Sequence, residues 1–181
     1  MRAYMKSAMP FLGVQAAGVA EVVRALPQAS VDDVRRLWDA ARYREERYVA
    51  IGLSRGLADL PLFEHMIVTG AWWDLVDGVA IHRVGPLLPA VAGAMRAWAR
   101  DPHLWKRRAS IICQNARGAE TDAALLHACI EANLADRDVF VRKAIGWALR
   151  VRARVAPDEV RAFAAAHELS ALSRREALKH L

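Results

Sequence analysis

The 181-residue chain has only two cysteines, ten glycines and seven prolines, and each scarcity closes off a class of protein. Cys113 and Cys129 are too few for a disulfide framework. Both fall inside apolar helical patterns, as reduced core residues of a cytoplasmic protein would. No CxxC, HExxH or Cys/His cluster occurs, so neither a metal site nor another cofactor is expected. A glycine-rich phosphate loop and a GxSxG elbow are also missing, which removes nucleotide hydrolysis and serine-nucleophile chemistry. No apolar stretch reaches the ~20 residues of a membrane span, and the start has no signal-peptide core. The expectation is a soluble protein with no membrane partner. Sustained apolar–polar alternation, the mark of a half-buried strand, is absent too. An all-α class remains.

What is present is 55% hydrophobic and 25% charged, a globular composition with chain enough for one domain spanning residues 1–181. The net charge of +6 points to a polyanionic partner, nucleic acid first and anionic membrane second. From Asp101 to Val155 there are ten lysines and arginines against six acids, so this stretch carries most of the excess.

Breakers and caps divide the chain into about ten helices of about 8–18 residues. A short helix over Arg2–Met9 stops at Pro10, and Pro10–Val14 forms an apolar turn. Helices follow over Ala16–Leu26, from a Ser30 cap to Ala40, over Arg42–Leu57 and over Leu62–Val68. The next runs from Trp73 to Val84, where Pro86 and Pro89 prevent a straight continuation. Ala92–Arg100, His103–Asn115, a Thr121-capped helix to Leu134 and an Asp138-capped helix to Val155 come after. Pro157 opens another, and Ser170–Leu181 is a basic amphipathic end. Trp38 to Trp73 is 35 residues, Trp73 to Arg108 is 35 and Arg108 to Trp147 is 39. Two short helices per ~40 residues is the period of HEAT-type arrays, although a compact bundle also fits the pattern.

Three of these helices offer flat or charged side chains at comparable places. Trp73 and Asp77 stand one helical turn apart on one face. Arg107 and Arg108 follow Trp105. Lys143, Trp147 and Arg150 form one stripe. In a solenoid, equivalent helices line one concave wall, where arginine forks suit phosphate and indole faces suit sugars or bases. Each residue also has a plainer use. Trp38, Trp72, Trp98 and Trp105 are assigned to packing. Arg107 and Arg108 fit a solvated face equally well, and Asp77 alone fits a helix-dipole or ion-pair role better than catalysis. None of the six histidines has a partner that the sequence can place.

Six stretches resemble the AlkD-like DNA alkylation repair family: Tyr4-Met5-Lys6, Pro10-Phe11-Leu12-Gly13-Val14, Trp72-Trp73-Asp74-Leu75-Val76-Asp77, Leu104-Trp105-Lys106-Arg107-Arg108, Phe140 through Arg150, and Leu172 through His180. They cover nearly the whole chain in order. The resemblance implies an α-solenoid of HEAT-like repeats and a monofunctional glycosylase. Such an enzyme excises cationic alkylpurines (3-methyladenine and 7-methylguanine types) from duplex DNA, leaves an abasic site and needs no base-flipping pocket. By motif, Asp77 matches the catalytic carboxylate, Trp73 and Trp147 match residues flanking the deoxyribose, and Arg108 and Arg150 match arginines gripping the backbone. Arg107, Lys143, Tyr4 and Lys6 are further candidates for DNA contact. Family chains usually carry another helix before the Tyr-Met-Lys motif, so a first repeat without its cap is expected here, in a monomer. Two other readings compete: a non-catalytic DNA-binding solenoid, and a protein-interaction scaffold.

Overall fold

The computed structural model describes residues 7–181. Tyr4 and Lys6 lie outside the described residues, as does most of the helix expected over Arg2–Met9, and Ser7–Met9 are not helical. Regular structure among the described residues is all helical. Eleven α-helices occur in order: α1 Ala16–Ala25, α2 Val31–Ala40, α3 Arg44–Leu53, α4 Leu60–Gly70, α5 Trp73–Val79, α6 Ala92–Trp98, α7 Leu104–Ile112, α8 Ala123–Glu131, α9 Val139–Arg152, α10 Pro157–Ala166 and α11 Ala171–Ala177. No helix among them is long and apolar enough to cross a membrane.

Local chemistry sets these bounds. Ser30 and Asp33 satisfy each other's backbone amides in a capping box at α2. Asp59, Asp138 and Ser170 cap α4, α9 and α11 through their side-chain oxygens. The cap of α8 is Asp122, which accepts from the Leu125 amide at 3.0 Å, and not the expected Thr121. Thr121 instead donates its hydroxyl back to the Gly118 carbonyl at 2.9 Å. The expected run from Trp73 to Val84 keeps its length but changes its hydrogen bonding. Regular α5 ends at Val79, a π-turn covers Ala80–Val84, and a 3-10 turn covers Gly85–Leu87. Pro86 lacks an amide proton there, and the Gly85 amide reaches back to the Ala80 carbonyl.

Helices α3, α5, α7, α9 and α11 each touch the next, forming one row, and α4, α6 and α8 pack against that row. This is the helical-repeat solenoid. Its core contains Trp38, Phe63, Leu62, Met66, Leu75, Met95, Ile111 and Ile145, all essentially sealed from solvent. Trp98 and Trp105 are buried in it, and Trp72 packs against it. Polar ties bind one unit to the next. Asn133 donates to the Ala99 carbonyl, Arg83 to the Ile51 carbonyl and Arg117 to the Gly85 carbonyl. Ahead of the first pair, Glu45 accepts from the Leu12 and Gly13 amides at 3.0 and 2.9 Å, so a buried carboxylate holds the Pro10–Val14 turn against α3.

Candidate functional site

Where α5, α7, α9 and α11 meet, they enclose a cleft of about 350 Å³ lined by Trp73, Asp77, Arg108, Lys143, Trp147, Arg150 and Glu176. The helical spacing explains five of them. Trp73 and Asp77 share one face of α5, and Lys143, Trp147 and Arg150 share one face of α9. Both indoles, Asp77, Arg150 and Glu176 are half-buried, Lys143 is exposed and Arg108 is buried. An aromatic cluster, Trp72 edge-on to Phe140 and Trp105 tilted against it at 5.5 and 5.0 Å between ring centres, ties α5, α7 and α9 together.

Asp77 is the best-held group in the cleft. Arg108 Nε donates to its Oδ1 and Nη2 to its Oδ2, both at 2.7 Å. The remaining guanidinium nitrogen, Nη1, donates to the Phe140 carbonyl. One arginine on α7 therefore bridges α5 and α9 with a bidentate, geometrically fixed fork. Each Asp77 oxygen keeps a second lone pair for a hydrogen bond from within the cleft. Burial pushes the Asp77 carboxyl above its ordinary range; the hydrogen bonds and charge of Arg108 oppose this, and the nearby Asp74 charge adds to it. Arg108 thus faces the carboxylate and not solvent, so the solvated-face alternative does not describe it.

The other sequence candidates divide. Arg107, one residue from Arg108, points elsewhere: its Nε pairs with Asp136 at 3.0 Å, and its Nη1 donates to the Asp101 and Pro102 carbonyls. A step of one residue turns a helical side chain by ~100°, which separates the two arginines. Arg150 pairs with Glu176, and its hydrogen bond holds the Glu176 carboxyl below the ordinary range. Sequence reasoning missed Glu176, although it stands inside the Leu172–His180 stretch. The available signal was Gly146. A Cβ there would lie 2.6 Å from Glu176 Cβ and 2.9 Å from the Ser173 carbonyl. Only glycine lets α11 approach α9 so closely, and that approach brings Glu176 over the cleft.

The groups left out of the cleft matter as well. None of its lining residues is a histidine; His65, for example, pairs with Asp39 at 2.6 Å. Cys113 and Cys129 are buried free thiols, and burial raises both, Cys129 to about 11, so neither is a ready nucleophile. Among the described residues no group of three His, Cys, Asp or Glu side chains is placed to hold a metal ion. The cleft can therefore offer a fixed negative charge, two indoles and the cations Lys143 and Arg150 in one place.

Comparison with known proteins agrees with this architecture. The family described as DNA alkylation repair enzyme matches residues 1–181. A solved structure described as a predicted DNA alkylation repair enzyme from Enterococcus faecalis superposes with a TM-score of 0.84 at 25% sequence identity, covering 100% of this chain and 92% of that one. No curated protein matches.

Proposed function

Since the chain belongs to the DNA alkylation repair enzyme family, we propose that it is a monofunctional DNA glycosylase. Its substrates are cationic alkylated purines of the 3-methyladenine and 7-methylguanine type in duplex DNA, and its DNA product is an abasic site. The observation that carries this reading is Asp77, a carboxylate held by Arg108 in a cleft that Trp73 and Trp147 also line.

N-alkylation leaves the base positively charged, so it departs readily and little acid catalysis is needed. As the bond from C1′ to the base nitrogen breaks, its electron pair neutralises the base and positive charge develops on the sugar. Asp77 stabilises that charge through space; fixed charges aimed at a transition state are worth a factor of about 10²–10³ in rate. The same carboxylate orients a water and takes its proton as the new bond to C1′ forms. Trp73 and Trp147 face the deoxyribose, where cation–π attraction adds ~0.5–2 kcal/mol. Arg150 and Lys143 hold flanking phosphates. Arg108 keeps Asp77 aimed and ionised, and has two N–H groups left over for a phosphate.

Selectivity follows from the leaving group, since only a base that already carries positive charge departs without acid catalysis. The wild-type protein is expected to release 7-methylguanine from duplex well above the spontaneous rate and to leave hypoxanthine, a neutral base, essentially untouched. Equal release of both would overturn the proposal. One observation favours a second reading, a DNA-binding solenoid without catalysis: both Asp77 oxygens already accept from Arg108. Duplex binding with no base release above the spontaneous rate would support that alternative.

A further inference from the structure

Glu176 is the one cleft residue that the proposed chemistry does not use. It sits on α11, pinned over α9 by the close approach at Gly146 and by the Ser173 hydroxyl, which donates to the Arg142 carbonyl at 2.9 Å. Its carboxylate takes the Nη1 donor of Arg150, the arginine at the cleft rim. The two side chains keep 29% and 23% of their surface in solvent. A half-exposed pair of this kind is held weakly and exchanges partners at little cost. Lys143, by contrast, is exposed in the same cleft.

From this arrangement we infer that Glu176 is a stand-in for DNA phosphate. It occupies Arg150 in the free protein and yields it to the backbone when duplex enters the cleft. Carboxylate and phosphate offer the guanidinium the same paired oxygen acceptors, so one can replace the other without moving α9. Before DNA arrives, Lys143 is the rim cation open to a phosphate and Arg150 is masked. The exchange adds a fixed cost to every duplex and lowers affinity for undamaged DNA, the competitor present in large excess. The inference rests on the reading of this cleft as a DNA site, but its test concerns binding alone and needs no base release.

The test is the affinity of the full chain for a short undamaged duplex, followed against salt. Glu176→Gln keeps the shape and removes the charge; it is expected to tighten binding by roughly two- to fivefold. Arg150→Ala is expected to weaken binding and to reduce the slope of log affinity against log salt by about 0.9. The deciding arm is the double variant: the gain from Glu176→Gln should vanish once Arg150 is gone. An equal gain in both backgrounds would reduce Glu176 to general repulsion and overturn the inference. Weaker binding by Glu176→Gln would overturn it in the other direction, by making Glu176 a support for Arg150. Failure of the wild type to bind duplex at all would instead bring down the DNA reading, whereas binding without base release would leave the exchange standing.

Discussion

Asp74 and Asp77 stand one turn apart on the same short helix, and each is answered by an arginine about one repeat away. Asp74 meets Arg44 upstream and Asp77 meets Arg108 downstream. Their side-chain exposures are 12% and 13%, so burial does not separate them. Their surroundings do. Asp74 also accepts the Tyr48 hydroxyl, which burial and this hydrogen bond push up to about 12, and Arg44 reaches the Ser7 hydroxyl as well. That node joins the α3 unit to α5, and none of its residues lines the cleft. Asp77 lines the cleft together with both indoles, and each of its oxygens keeps a lone pair that Arg108 does not take. A buried Asp–Arg pair by itself therefore says little about function; what its free lone pairs face is informative.

The contrast can be broken most forcefully at its structural end. Arg44→Ala removes the partner of Asp74 and leaves a buried carboxylate uncompensated, so thermal or denaturant unfolding should show a loss of about 3–5 kcal/mol. A loss below 1 kcal/mol would mean that the node is not structural. Trp147→Ala comes next. It is expected to slow base release about two- to thirtyfold, matching a cation–π effect of ~0.5–2 kcal/mol, and to leave the Asp74 node and its contribution to stability in place. An unchanged rate would remove Trp147 from the sugar-facing wall.

The smallest effect is the position of a pH limb. Asp77 acts ionised and its carboxyl is raised by burial, so release should fall as pH drops through a value above the ordinary ~3.9. The folded chain holds that proton more tightly than the unfolded one. Asp77's own contribution to stability is then fully present below about pH 3.9 and is lost as pH rises through its folded value. Glu159, lowered by its Arg152 hydrogen bond, runs the other way: its contribution is present above the ordinary carboxylate range and is lost as pH falls through its folded value. A pH–rate profile without an acid limb would contradict the assignment of Asp77.

Much of this cleft was legible before any coordinates, because helical periodicity is local information. Spacing alone put Trp73 with Asp77, and Lys143 with Trp147 and Arg150. It could not say which arginine of Arg107-Arg108 faces the cleft, since a small change in where α7 starts exchanges their faces. Nor could it pair Arg108 with Asp77 or Arg150 with Glu176. Those contacts join residues 31 and 26 apart, and they depend on how one unit is set against the next. Glu176 was hidden for the same reason: only the close contact at Gly146 brings it into the cleft. The boundary at Val79 escaped too, because an α-turn and a π-turn present nearly the same hydrophobic pattern and differ in which carbonyl each amide finds.

The account stands or falls on the difference between two adjacent acids. The direct measurement is the single-turnover rate of 7-methylguanine release from methylated duplex, taken side by side for the wild type, Asp77→Asn and Asp74→Asn at matched DNA occupancy. The account predicts that Asp77→Asn loses about 10²–10³-fold in rate while Asp74→Asn stays within about tenfold of wild type and loses stability instead. Wild-type release by Asp77→Asn, or an equal loss in both variants, would contradict it.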